Sequence, residues 1–161
     1  MNKIIAAILS FLLWIMPWWT GLFNMRERVA FDKDDIMDKI ISCVQEDDVA
    51  TLESMMRPWL KENTPDLTAK ITQLYDAIDG NIISMRKGAE GSRYDGGIHS
   101  VDLRFVLDTD KPEHYYLTMM YDVSNANDRK EVGISSIRLA TGLVGASDRV
   151  IHFTLNTPEW D

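Results

Sequence analysis

GIHSVDLRFVLDT, residues 97–109, alternates polar and apolar side chains almost without a break. Successive side chains on a strand point to opposite faces, so a period of two marks a half-buried strand. His99, Val101, Leu103, Phe105 and Leu107 face one way; Ser100, Asp102, Arg104 and Asp108 face the other. EHYYLTMMYDV, residues 113–123, repeats the pattern and sets Tyr115, Leu117, Met119, Tyr121 and Val123 on one side. NIISMRKG, EVGISSIRLA and VIHFTL read as further strands, which gives about five. DTDKPE and SNANDRK are polar turns, GLVGAS is a loop, and KGAEGSRYDGG is a glycine-rich loop or wide hairpin.

Before Gly80 the period is helical. In DKDDIMDKIISCVQEDD the apolar residues Ile36, Met37, Ile40, Ile41 and Val44 recur at helix spacing, and acidic residues crowd the start, where the helix dipole favours them. Asp48 can cap a second short helix, VATLESMMRPWL, with Leu52, Met55 and Met56 as its stripe. Pro58 ends or bends it, and KENTPD is a polar turn. Thr64 or Asp66 starts a third helix, LTAKITQLYDAIDG, with Leu67, Ile71, Leu74, Tyr75 and Ile78 on one side and Gly80 as its terminator. Helices first and strands after predict an α+β domain: three N-terminal helices packed on a curved antiparallel sheet.

Ahead of this body, Ile4–Phe23 is a run of twenty uncharged residues with only Ser10 and Thr20 polar. A bilayer core needs roughly 20 apolar residues of helix to cross it. Lys3 gives a short positive start, as in a secretory leader, but Trp18-Trp19-Thr20-Gly21-Leu22-Phe23-Asn24 offers no small-residue cleavage site. The expectation is a retained hydrophobic anchor, with a leader cut at a poor site as the alternative. Trp14, Trp18 and Trp19 suit a headgroup boundary, or are simply bulk in a greasy helix. The domain division expected is 1–31 for anchor and connector and 32–161 for one α+β domain, which is long enough for a single core.

The 32–161 part carries 14 Lys and Arg against 24 Asp and Glu, a formal charge of −10. That balance repels phosphate backbones and argues against nucleic acid as a partner. One cysteine, Cys43, excludes an internal disulfide framework and a cysteine-based zinc site, and its apolar setting predicts a buried, inert thiol. The phosphate-cradling, dinucleotide, H-E-x-x-H and G-x-S-x-G signatures are missing, so the common hydrolase and nucleotide classes are disfavoured. No two histidines have local metal-ligand spacing. No cofactor, no metal and no catalytic residue is expected.

DAIDGNIIS and HYYLTMMYDVSNANDRKEVGISSIRL add a resemblance. They are similar to a family of uncharacterised Gram-positive bacterial lipoproteins of the nuclear-transport-factor-two-like cone fold. That family's pattern is a helix ending in glycine, a strand, an aromatic-rich strand, a polar turn and a "VGIxS" strand. Here the last is Val132-Gly133-Ile134-Ser135-Ser136, and the similarity covers roughly residues 34–140. The lipidated cysteine of that family is missing, so the resemblance implies that the hydrophobic helix has replaced the lipid. It brings no established activity. It implies a concave cavity between helices and sheet, for which Trp59, Tyr75, His99 and Tyr121 are the candidate lining residues. The plainer reading is that the tyrosine rings are buried with wet hydroxyls and that His99 is a hydrogen-bonded strand-end residue. His114 and His152 read as solvent-facing; Asp102 and Arg104 read by default as a solvated strand face, with an ion pair with neighbouring strands or a place in a homodimer interface as the alternatives.

Three functions follow as expectations. The first is a non-enzymatic, membrane-tethered domain on the exterior of a bacterial cell, held through residues 4–23, that binds a small molecule or an envelope protein. The second is a small pocket hydrolase or isomerase using His99 with Tyr75 or Tyr121. The third is an immunity-like protein that meets a basic toxin with its acidic face.

Overall fold

The computed structural model describes residues 31–128, 130–142 and 149–156. The uncharged run 4–23, its three tryptophans, connector residues 24–30 and most of the GLVGAS loop lie outside the described residues. Among the described residues, no helix is long and apolar enough to cross a membrane. The architecture that follows is that of the unit Lys33–Asp161.

Helix α1, Lys33–Gln45, opens with Asp34 and Asp35 and buries Met37, Ile40, Cys43 and Val44, one side of a 3.6-residue repeat. Helix α2, Val49–Ser54, starts where the Asp48 carboxylate accepts from the Thr51 N–H at 3.0 Å. The expected single helix VATLESMMRPWL does not form. The chain leaves α2 at Met55, runs extended through Arg57 (ψ 137°) and begins again as α3, Pro58–Asn63. Proline disfavours helical geometry in the residue before it and clashes with the carbonyl four residues back. At the first position of a new helix it lacks only an N–H that would be unbonded anyway. Helix α4, Leu67–Asp76, follows and buries Leu67, Ile71 and Leu74. The described residues thus hold four helices where three were expected, and Lys61–Asn63, expected in a turn, are helical.

Six antiparallel strands follow: β1 Ile82–Lys87, β2 Gly91–Asp95, β3 Ile98–Thr109, β4 His114–Asn125, β5 Gly133–Thr141 and β6 Val150–Asn156. Their order is β1-β3-β4-β5-β6, and β2 shares the β1 edge of β3, opposite residues 98–102. The sixth strand is β2, hidden in the glycine-rich stretch; Gly96 and Gly97, with φ of +54° and +87°, make its turn into β3. Val101, Leu103, Phe105 and Leu107 on β3 meet Tyr115, Leu117 and Met119 on β4 as the buried face, as the alternation requires.

Bulges break that alternation. Val123 has no partner between the His99–Ser124 and Ser100–Asp122 pairs. Ser135 has none between Met120–Ser136 and Tyr121–Ile134. Each extra residue bends its strand and re-aims the side chains beyond it. Beside these two bulges β5 gains another neighbour. β6 pairs with β5 only as far as Ser136–Asn156. Beyond that point the segment Met55–Arg57 takes the edge, with Met56 in a parallel bridge to Ile134. The Arg57 N–H donates to the Ile134 carbonyl at 2.9 Å, and the Ile134 N–H donates to the Met55 carbonyl at 2.9 Å. We refer to Met55–Arg57 as the strap.

Candidate functional site

The strap carries the most deeply buried charge among the described residues' cations. Arg57 is 3% exposed, and Asp122, facing it from β4, is 0% exposed. The Arg57 Nη1–H donates to Asp122 Oδ2 at 3.0 Å, and the Ser100 hydroxyl on β3 donates to Asp122 Oδ1 at 2.6 Å. The Arg57 Nε–H donates to Glu131 Oε2 at 2.9 Å, and the same oxygen accepts from the Trp59 N–H at 3.1 Å. One guanidinium thus bridges two carboxylates that approach from β4 and from the turn before β5. Arginine suits this role because its planar fork stays charged at any working pH and presents several donors at fixed angles. Asp122 pairs in register with Gly133. Gly133 has φ +130°, and a Cβ there would sit 2.7 Å from the Met55 oxygen and 2.9 Å from the Arg57 nitrogen. Only a residue without a side chain lets the strap lie against β5 there.

The four residues expected to line a cavity divide among three places. Trp59 contributes its N–H to the network just described. His99 and Tyr121 are the chain neighbours of Ser100 and Asp122, but their side chains point away from those residues across the strand. The His99 Nε2 sits 2.9 Å from the Ser92 hydroxyl on β2, with the Tyr94 ring 6.3 Å away between centroids. Tyr121 is half-buried beside Val101 and Ile134; burial pushes its phenol up, and the Lys39 charge opposes that. Tyr75 lies elsewhere. Its hydroxyl reaches the Cys43 and Asp48 carbonyls, both at 3.4 Å, where α1 turns into α2.

Burial drives the Tyr75 phenol far above its ordinary range, and negative charge at Cys43, Asp47 and Asp48 adds to it. The unfolded chain loses that proton near pH 10 and the folded chain only at higher pH. This contribution to stability is therefore complete below about pH 10 and declines as pH rises. Tyr75→Phe removes it. The variant is expected to lose under about 1 kcal/mol at neutral pH, because the two contacts are long. Its stability is expected to fall less steeply than the parent's above about pH 10 in urea titrations at a series of pH values. An unchanged slope would contradict the assignment.

Cys43 and the Asp108 contacts are held in forms unsuited to attack. Burial raises the Cys43 thiol, with Asp48 acting in the same direction, which disfavours the nucleophilic thiolate. Asp108 accepts from the Ser84 hydroxyl at 2.7 Å and contacts His114 Nδ1 at 2.7 Å. Here the carboxylate stands between hydroxyl and imidazole, whereas a hydrolytic triad places the imidazole in the middle. His114 and His152 are exposed. Asp102 pairs with Arg104 of its own strand at 2.9 Å rather than with a neighbouring strand. Among the described residues no group of three or more His, Cys, Asp or Glu is placed to hold a metal ion.

Arg57, Ser100, Asp122 and Glu131 do not stand out in the sequence as site residues. An arginine before Pro58 is ordinary at a helix break, and Asp122 falls on the outward phase of a strand that looks regular. The nearest signal is the glycine in Val132-Gly133-Ile134, a residue poorly suited to a strand interior unless another backbone approaches.

A family model described as "Domain of unknown function (DUF5104)" matches residues 39–142. The matched span takes in the strap, the buried network and all four candidate residues, and it stops short of β6. No curated protein matches the chain.

Proposed function

The chain belongs to the DUF5104 family, a domain of unknown function, and from that premise we propose a non-enzymatic binding domain tethered to the exterior face of a bacterial membrane. One observation carries the non-enzymatic part. The groups most able to do chemistry are engaged inside the fold: Arg57 by Asp122 and Glu131, Tyr75 by two carbonyls, and Cys43 by burial. Catalysis needs a nucleophile or base facing a space where a reacting atom can sit. Binding needs only surface, and Ile83, Tyr94, Val150 and Ile151 are each more than half exposed. The tether rests on the uncharged residues 4–23. We further read the helices and bulged sheet as a nuclear-transport-factor-two-like cone, akin to the Gram-positive lipoproteins named above, with a hydrophobic helix in place of the lipid.

A second reading has one observation in its favour. The Ser92 hydroxyl and His99 Nε2, 2.9 Å apart, make the hydroxyl–imidazole contact that a serine hydrolase uses. One preparation separates the two readings. The full chain is expressed in a bacterium, fractionated, and exposed both to external protease and to a fluorophosphonate that labels activated serines. The proposal expects full-length protein in the membrane fraction, cleavage by external protease in intact cells, and no label. A shortened soluble product would sink the tether, and label lost in Ser92→Ala would sink the non-enzymatic reading.

A further inference from the structure

We infer that the outward face of the sheet binds the phosphoryl or sulfuryl group of a small molecule, seated over Thr118 between Arg104 and Arg138. Directly opposed residues of antiparallel neighbours share a face. Register therefore sets Arg104, Thr118 and Arg138 in one row across β3, β4 and β5, on the side opposite the buried Phe105, Leu117 and Leu139. Neighbouring strands lie about 4.8 Å apart, so the two arginines start on either side of the threonine and are long enough to converge above it. Their planar forks match the oxygens of such a group, and the Thr118 hydroxyl supplies a donor from below.

Arg138 is the residue that points to a ligand. It is half-buried, and its Nε–H is shut off from solvent and meets no acceptor. A desolvated donor left unmade costs free energy, which an incoming oxyanion can return. Arg104 differs: its Nε–H donates to Asp102 Oδ2 at 2.9 Å. Two guanidinium groups thus face one carboxylate, which leaves one positive charge on this face. The rest of the surroundings do not cancel it. Tyr116, Ala140 and Ile151 flank the row on one side, and Met120 and Ser136 on the other, none of them acidic. The charge stands out in a part of the chain with 24 Asp and Glu against 14 Lys and Arg. A small anion senses that local charge, whereas a long polyanion would also meet the acidic surface around it. The half-exposed Ile151 beside the row suits an apolar body on the same molecule. This assignment names a ligand class for the binding reading above and does not need the membrane tether.

The test uses the full chain in detergent micelles, labelled with nitrogen-15 on arginine, as parent, Arg138→Gln and Thr118→Val. Inorganic phosphate, phenyl phosphate, acetate and chloride are titrated at matched ionic strength. The expected result in the parent is a saturable shift of the Arg138 Nε–H resonance, identified by its loss in Arg138→Gln, and a rise in melting temperature. Phosphate is expected to act at lower concentration than acetate, and chloride not to saturate. Thr118→Val is expected to need on the order of tenfold more phosphate, the worth of one hydrogen bond to a charged group. Without phosphate, Arg138→Gln is expected to melt no lower than the parent, because it gives up no protein partner. Phenyl phosphate acting below the phosphate concentration assigns the source as an organic ester; equal action assigns it as the free ion. Equal responses to phosphate, acetate and chloride would overturn the inference, as would a phosphate response that survives in Arg138→Gln. A clear fall in the melting temperature of Arg138→Gln without phosphate would also overturn it, by showing that the fold itself uses the side chain. None of these outcomes bears on fractionation or serine labelling, so this inference and the proposed function fail separately.

Discussion

Arg57→Met is expected to lower the free energy of unfolding by about 3–5 kcal/mol, the usual loss when one partner of a buried ion pair is removed. The cost comes less from the missing guanidinium hydrogen bonds than from the charge left behind. Asp122 is fully buried, and its remaining side-chain partner among the described residues is the Ser100 hydroxyl, which cannot balance a carboxylate charge. Methionine fills much of the same length of side chain, so the loss reads the charge rather than a void. A domain of this size has about 5–15 kcal/mol in total, so the variant is expected to be marginal at room temperature. Urea unfolding of the full chain in detergent micelles, followed by far-ultraviolet circular dichroism, measures it. A loss below about 1 kcal/mol would mean that water reaches Asp122 in the folded chain.

Gly133→Ala is expected to cost about 2–5 kcal/mol. Two effects add. A φ of +130° is outside the range that residues with a Cβ adopt comfortably, and holding one there costs about 1–3 kcal/mol. The new methyl would also press on backbone at 2.7 and 2.9 Å, and backbone cannot swing aside as a side chain tip can. Relief requires moving the strap and weakening its two hydrogen bonds to Ile134, each worth about 0.5–1.5 kcal/mol. Gly96 provides the internal comparison. It also has positive φ, at +54°, but nothing lies within 4 Å of its would-be Cβ. Gly96→Ala is therefore expected to cost only about 1 kcal/mol, from backbone conformation alone. Equal losses at the two glycines would show that close approach of the strap contributes nothing.

The two glycines also mark how far the fold can be read from residues. Wherever a side-chain period is unbroken, expectation and structure agree. α1, α4, β3 and β4 stand within two or three residues of where their apolar spacing puts them, because burial of one face fixes both the element and its phase. Agreement fails where local chemistry competes with period. Pro58 does not merely end a helix; it begins one, and the residues before it become a strand-like strap. The bulges at Val123 and Ser135 leave no mark in the alternation, since one extra residue shifts the phase only for the few positions beyond it. That is why Asp122 and Ser100 look solvent-facing in the sequence. A strand pattern cannot show that an arginine 65 residues away in sequence covers its outward side. Of the residues expected to form a site, Trp59 alone enters the network, through its backbone. A backbone N–H carries no sequence signal.

The strap is held to the sheet by opposite charges in a dry interior, and adding Asp122→Asn to Arg57→Met tests this most directly. Asparagine keeps an acceptor for Ser100 and removes the stranded charge, so the double variant is expected to be more stable than Arg57→Met alone, even though Asp122→Asn by itself destabilises the parent. If the second substitution instead lowers stability further, or by as much as it does in the parent, the two residues act independently and charge pairing does not hold the strap in place.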